Sequence, residues 1–309
     1  MNKDKLLQLK ATIMLVLLSI FWGLSFPLIK SGLQFSSPIL FVFARFLFTT
    51  ALYLLIFYNQ VRKIKFSDFR YGVILGVFLF LGFITQTIGL KFTTASKSAF
   101  VTGANIVLIP FAQYFIIKKK PAVANIVGII LVLIGLYLLT ELQEMAVNIG
   151  DLITFFCSIS FSIYVVLLDK YSRLASFHAL VFGQFLTTTV FSLLASFFVE
   201  NLIFRETQFI ISTELIVIIL LNAVIGTLIG LFVSTRYQKE ITPVRAGLIY
   251  NLELPSAVLF SYFLLGEIMS ISQWLGASIM VIGLIISELF SYFNKTTYSI
   301  NQRDENHKD

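Results

Sequence analysis

Ten apolar runs alternate with short polar breaks along the chain, at 11–30, 38–58, 71–90, 95–117, 122–140, 151–169, 177–199, 214–235, 246–265 and 271–293. A helix needs about 20 apolar residues, at ~1.5 Å each, to cross a ~30 Å hydrocarbon core, and each run is about that long. Inside lipid only helices and closed barrels satisfy every backbone group, and a barrel strand is half this length. The pattern predicts an all-α integral membrane protein of ten transmembrane helices. The first run is long for a signal sequence, lacks an A-x-A cleavage pattern and leads into nine more, so it reads as helix 1.

Composition sharpens this reading. Of 309 residues, 58% are hydrophobic and 13% charged, and the mean hydropathy is +0.90. A soluble domain carries roughly 25% charge, so this chain cannot clothe a water-facing surface. The same apolar content excludes disorder. Cys157, alone, can form no internal disulfide.

The net charge of +7 suggests nucleic acid until its placement is examined. Eighteen of the 23 Lys and Arg fall on one side of the predicted spans: Lys3, Lys5, Lys10; Arg62, Lys63, Lys65, Arg70; Lys118, Lys119, Lys120; Lys170, Arg173; Arg236, Lys239, Arg245; Lys295, Arg303, Lys308. Only Lys30, Lys91, Lys97 and Arg205 fall on the other side, and Arg45 lies within the second run. The positive-inside rule then places both termini in the cytoplasm, in a cell membrane, and leaves no case for a nucleic-acid partner. The acidic stretches 141–151 and 200–214 fall outside.

Sliding the chain against itself finds an internal repeat. At an offset of 148, Lys97 falls on Arg245, Gly128 on Gly276 and Gly135 on Gly283, and ILVLIGL (130–136) lies over SIMVIGL (278–284). Earlier in each half the offset is 139, where FARFLFTT (43–50) meets FGQFLTTT (182–189). Two five-helix units result, 1–145 and 146–293, followed by a polar tail, 294–309, expected to be disordered and cytoplasmic. Five is odd, so the second unit enters the membrane from the opposite face. Inverted repeats of this kind mark many secondary transporters, whose site lies between them near the midplane.

The segment TPVRAGLIYNLELPSAVLFSYFLLGE (242–267) and its glycine-spaced last helix resemble the repeat of the EamA family in the drug/metabolite transporter superfamily. FWGLSFPLIK (21–30), the ARF of 44–46 and GLKFTTASKSAF (89–100) fit the same pattern, so the resemblance covers about 11–293. It implies two inverted repeats around a central cavity that opens alternately to each side, and export or uptake of small metabolites, often amino acids. One departure is IIKKKP (116–121), which sets Lys119 where the second copy has Glu267.

An ionisable group inside the bilayer costs ~2.5–3.5 kcal/mol on insertion scales, so each one needs a reason. Glu253 lies in the ninth run, two residues before Pro255; it can take up a proton, meet a cationic group of a substrate, or pair with Arg45. Arg45 in the second run can meet a substrate carboxylate, pair with a neighbouring helix, or snorkel; its repeat counterpart is Gln184. Asn105, followed by Pro110, is the counterpart of Glu253, and paired interruptions of this kind point to a transporter site. Trp22, with Ser25 and Pro27 close by, offers a stacking surface. Gln86, Tyr164, Asn222, Tyr250 and Asn251 extend the polar set. The candidates for substrate binding or coupling are Trp22, Arg45, Gln86, Asn105, Tyr164, Tyr250 and Glu253. Gly72-x-x-x-Gly76 and Gly226-x-x-x-Gly230 read as packing.

Enzymatic signatures are missing: two histidines give no metal motif, and no nucleophile elbow, P-loop or dinucleotide fingerprint occurs. No cofactor and no metal are expected, and the chain reads as no enzyme. The expected partners are the lipid bilayer, a small-molecule substrate, protons as a coupling candidate, and a second copy of the chain as a candidate homodimer. The leading function is a secondary carrier exporting amino acids or related metabolites. The alternatives are proton-coupled efflux of hydrophobic cations, or a channel or non-transporting receptor, although no filter-like loop or ring of charges supports a channel.

Overall fold

Continuously apolar sequence leaves the backbone as the only partner for its own polar groups, and the predicted runs fold accordingly as helices. The computed structural model describes residues 3–93, 95–140, 148–205, 207–265 and 270–305. Helix α1 is Lys3–Gly32, α2 is Pro38–Ile56 and α3 is Phe66–Phe92. The fourth run is interrupted, as α4a (Ala95–Gly103) and α4b (Asn105–Ile117). Then follow α5 (Val123–Thr140), α6 (Ile149–Tyr171) and α7 (Phe177–Ala195), the last continued by wider π turns over Ser196–Phe204. Helix α8 runs through Thr213–Leu221, a π stretch Asn222–Ile229, and Gly230–Tyr237. The ninth run is again broken, as α9a (Pro243–Tyr250) and α9b (Glu253–Leu265), and α10 is Ile271–Glu305.

Seven of the described helical segments are long and apolar enough to cross a membrane, with two shorter apolar ones in α5 (Asn125–Leu139) and α10 (Ile271–Ser287). Large apolar side chains such as Leu55, Phe115 and Phe198 are exposed on the outer surface. A soluble monomer rarely leaves so much apolar surface bare, whereas a lipid-facing one does. The backbone of α10 runs to Glu305, past the predicted end at 293 and into the expected tail. No glycine or proline after Gly283 is present to stop it. The comparison of Lys119 with Glu267 and most of the acidic 141–151 stretch lie outside the described residues.

Repeat-equivalent helices pack against each other. In α5 and α10, Gly128 lies on Gly283 and Gly135 on Gly276, so each glycine meets the counterpart of the other and the helices run antiparallel. The approach is close enough that a Cβ on Gly135 would stand 2.6 Å from the Gly276 carbonyl oxygen. In α2 and α7 the counterparts Thr50 and Thr189 share a hydroxyl hydrogen bond of 2.8 Å. Helices α4b and α9a cross where Asn251 Nδ2 donates to Asn105 Oδ1 at 3.2 Å. Around these pairs α3 packs on α6 and α7, as α8 packs on α1 and α2. This is the pattern of a two-fold axis passing between the units.

Three contacts hold α2 to α7 along their length. Besides the threonine pair, the Tyr53 hydroxyl and His178 Nδ1 lie 2.7 Å apart. At the other end the Glu200 carboxylate accepts from the backbone N–H groups of Ile39 (2.5 Å) and Leu40 (3.0 Å), serving orphan donors at the start of α2.

Candidate functional site

The two broken helices set the site. Pro255 removes a donor, and its ring clashes with the carbonyl four residues back, at Asn251, where α9 turns aside. In α4 the interruption falls at Ala104, the repeat counterpart of Leu252. Each second piece begins on a polar side chain: Asn105 in α4b and its counterpart Glu253 in α9b.

Both residues face one cavity between the helices. Its walls are two-fold. Trp22 and Phe161, Ser25 and Tyr164, and Phe26 and Val165 are counterparts at the 139 offset. Phe83 and Leu231, Gln86 and Ser234, and Asn105 and Glu253 are counterparts at 148. The remaining lining residues, Ile29, Arg45, Leu79 and Tyr250, have no counterpart in the lining. The aromatic walls are bedded symmetrically too: Trp22 rests on Gly230 and Phe161 on Gly82, glycines also related by 148. A cavity built from pairs of equivalent residues lies on the axis that relates them.

Its charges break the symmetry. Arg45 is 2% exposed; its Nε donates to Thr227 Oγ1 at 2.5 Å, and its guanidinium lies 4.8 Å from the centre of the Phe83 ring. Among the described residues it has no ion-pair partner, and the Glu253 carboxyl has neither an ion pair nor a hydrogen bond. The Arg45–Glu253 pair is therefore not formed. The two poles stand unjoined on one cavity, one supplied by each unit. Their counterparts are neutral, and Gln184 is fully occupied, accepting from the Tyr164 hydroxyl (2.7 Å) and donating to Thr235 Oγ1 (3.1 Å).

The other candidates are held by hydrogen bonds that fix their orientation. Trp22 Nε1 donates to the Gly226 carbonyl at 2.8 Å, inside the π stretch of α8, where wider turns free backbone acceptors. Its ring stands 5.2 Å from that of Tyr250. The Tyr250 hydroxyl donates to Gln238 Oε1 (2.9 Å), and Gln238 Nε2 donates to the Val165 carbonyl (2.6 Å). Gln86 Nε2 reaches Thr102 Oγ1 at 3.4 Å. Behind Asn105, Ser162 of α6 donates to the Asn105 carbonyl (3.2 Å) and Ser158 to that of Val101, so α6 supplies donors at the α4 break. At the position equivalent to Ser162 stands Gly23, pressed so flat on α9b that a Cβ would lie 2.6 Å from the Glu253 carbonyl oxygen.

All seven sequence candidates thus line one cavity. Asn222 and Asn251 do not: the first donates to Ile218 within α8, and the second bridges the crossing of α4b and α9a. Sequence reasoning missed Phe83, Phe161, Ser234 and Gln238. Phe161 was within reach, because it is the counterpart of Trp22. Gln238 carried no signal beyond being a polar residue at the end of an apolar run. Among the described residues no group of His, Cys, Asp or Glu could hold a metal.

Next to the central cavity along α1 and α3 lies a second, wider one, lined by Lys30, Leu33, Gln34, Ser36, Ser37, Pro38, Leu90, Lys91, Thr207 and Gln208. The repeat places Asp169, Arg173, Gln238 and Lys239 at the equivalent mouth on the opposite face. There Arg173 pairs with Asp169 (3.0 Å) and donates to the Lys239 carbonyl, while Gln238 ties α8 to α6 and α9a. The first mouth holds an open cavity, and the second is crossed by these hydrogen bonds.

Known proteins share this architecture. A solved crystal structure superposes with a TM-score of 0.74, covering 92% of this chain and 98% of its own at 17% identity, a likeness of fold alone. A protein of Archaeoglobus fulgidus named as an uncharacterized transporter is 32% identical over 282 residues, 91% of this chain and 87% of its own. The uncharacterized transporter YyaM of Bacillus subtilis is 25% identical over 296 residues, 90% of this chain and 93% of its own. The EamA-like transporter family matches twice, over residues 9–141 and 148–289. Two matches that together span nearly the whole chain, on a helical fold with long apolar spans, make it a member of the EamA-like transporter family of membrane proteins.

Proposed function

We propose that the chain is a secondary carrier that exports amino acids or closely related metabolites by alternating access. In this reading ten transmembrane helices form two inverted units, 1–145 and 146–293, with both termini cytoplasmic in the cell membrane. The observation that carries it is the pair of unjoined poles, Arg45 and Glu253, on a single cavity between the units. A buried charge without a partner is costly, and a solute bearing both a carboxylate and an ammonium would satisfy the two at once. Trp22, Phe83, Phe161 and Tyr250 supply apolar walls for the rest of such a molecule. Alternation is supported by the two mouths, equivalent in sequence yet differently built, one holding an open cavity and the other crossed by hydrogen bonds; the positive-inside rule puts the open cavity outside. Glu253 is the candidate proton-coupling group.

A second reading, efflux of hydrophobic cations, is favoured by the aromatic walls around Glu253 and opposed by Arg45, whose charge would repel such a substrate.

Counterflow in proteoliposomes separates these readings. With unlabelled amino acids inside and labelled ones outside, transient uptake that needs the internal pool is expected from the wild type. Arg45→Gln and Glu253→Gln should each depress it for zwitterions far more than for uncharged analogues. Equal losses for both solute types would remove the zwitterion reading; uptake of organic cations alone would favour the second.

A further inference from the structure

We propose that Ser25 and Arg45 together form a two-donor subsite for a carboxylate, on the part of the cavity wall that Gly226 leaves bare. The identity of the solute rests on the carrier reading; the subsite itself does not. Ser25 of α1 and Arg45 of α2 both line the cavity. A Cβ on Gly226 would stand 2.9 Å from Ser25 Oγ and 3.0 Å from Arg45 Nη2, so both groups border one spot above this glycine. The rest of the Arg45 head is engaged: Nε donates to Thr227 Oγ1 at 2.5 Å, and the Phe83 ring centre lies 4.8 Å from the guanidinium carbon. The donors left to it are those of the Nη groups. Ser25 is unspent as well. Hydroxyls elsewhere in these helices turn back on the carbonyl four residues before, as Ser19, Thr49, Thr50 and Ser256 do. The Ser25 hydroxyl has no hydrogen bond among the described residues.

The equivalent corner of the other unit satisfies itself. The counterparts of Ser25 and Arg45 are Tyr164 and Gln184, and there the Tyr164 hydroxyl donates to Gln184 Oε1 at 2.7 Å. Phe78 stands where the second unit has Gly226, and Leu79 where it has Thr227. The Ser25 corner instead sets two donors side by side without an acceptor. Of the other ionisable groups on the described lining, Tyr164 and Tyr250 donate to Gln184 and Gln238, and Glu253 forms no ion pair with Arg45. Lys30 lines the neighbouring cavity. A carboxylate brings two acceptor oxygens, one for each donor, and charge-assisted hydrogen bonds are roughly twice as strong as neutral ones. Thr227 acts as a positioning residue. Its own proton goes to the Asn222 carbonyl at 3.0 Å within the π stretch, which leaves its oxygen to accept from Arg45 Nε.

Binding can be read without transport. In a Trp274→Phe chain Trp22 is the sole tryptophan, and its Nε1 donates to the Gly226 carbonyl at 2.8 Å, so its emission reports on this corner. In detergent, acetate is expected to give a saturable change in that emission and a raised melting temperature, with acetamide and chloride far weaker. Ser25→Ala should weaken acetate about tenfold or more, the worth of one hydrogen bond to a charged group, and Ser25→Thr should not. Ser25→Cys, a weak donor of similar size, serves where Ser25→Ala does not fold. Thr227→Val should weaken acetate comparably and Thr227→Ser should restore it, a rescue that follows the hydroxyl rather than the packing. Acetate binding unchanged by Ser25→Ala overturns the proposal. So does a parent chain that responds to acetate by neither readout, or that takes chloride as well as acetate. Acetate binding that needs Ser25 and Arg45 in a chain without counterflow would keep the subsite and discard the carrier. Zwitterion counterflow with acetate binding indifferent to Ser25 would do the reverse.

Discussion

Helices α4 and α9 are copies of one element, broken at equivalent positions, and they have been finished in opposite ways. At the α4 break the neighbouring helix is α6, whose Ser158 and Ser162 donate to the Val101 and Asn105 carbonyls, and the polar side chain on the cavity is neutral. At the α9 break the neighbour is α1, whose Gly23 brings backbone against backbone, and the side chain on the cavity is a carboxyl that no described residue engages. One break is stitched by hydrogen bonds; the other is held by close packing and keeps its polar group for something else. The same division separates Gln184, satisfied at both ends, from Arg45, which among the described residues is satisfied only at Nε. Each unit thus carries one satisfied polar side chain and one without an ion pair among the described residues, so the two-fold cavity has polarity.

The contrast can be broken first at its charged end. Losing one member of a desolvated charge pair costs ~2–5 kcal/mol, so Glu253→Gln should lower zwitterion counterflow by about 30-fold or more. Asn105→Ala, its counterpart on the stitched side, should change counterflow by no more than about threefold, equivalent to one ~0.6 kcal/mol interhelical hydrogen bond. A comparable loss from both would erase the distinction between the breaks. Next comes Gly23→Ser, which gives α1 the residue that α6 uses. Its Cβ meets backbone at 2.6 Å, so overpacking should cost ~1–3 kcal/mol, read as a lowered melting temperature in detergent. An unchanged melting point would show that α1 and α9b are not pressed together. Smallest, Ser162→Ala should destabilise by about 0.6 kcal/mol while leaving substrate selectivity intact; a shift in selectivity would give the serine a part in binding.

Much of this was legible beforehand, and the reason differs from residue to residue. The spans were visible because lipid demands long apolar helices. Arg45 and Glu253 were visible because charge in such a run is rare enough to require a cause. The symmetry of the cavity was half visible: the repeat offsets name every pair, yet nothing in them says which counterparts face inward. The serines behind Asn105 were hidden because serine is common in apolar helices and its partners are set by tertiary packing. The π stretch of α8 was hidden because one extra residue per turn leaves hydropathy unchanged. The state of the mouths depends on side-chain pairing across loops, as in Arg173 with Asp169 and the Lys239 carbonyl, and a hydropathy pattern contains no such information.

The triple fastening of α2 to α7, at Glu200, at Thr50 with Thr189 and at Tyr53 with His178, has a mechanical consequence. A pair pinned at both ends and the middle cannot be prised apart to make a passage, so any opening has to swing the remaining helices about it. Because the pin crosses the axis, a swing that widens one end narrows the other. Under the proposed alternating-access reading, such a device would work as a seesaw with a single degree of freedom, in which leverage prevents a leak through both mouths at once.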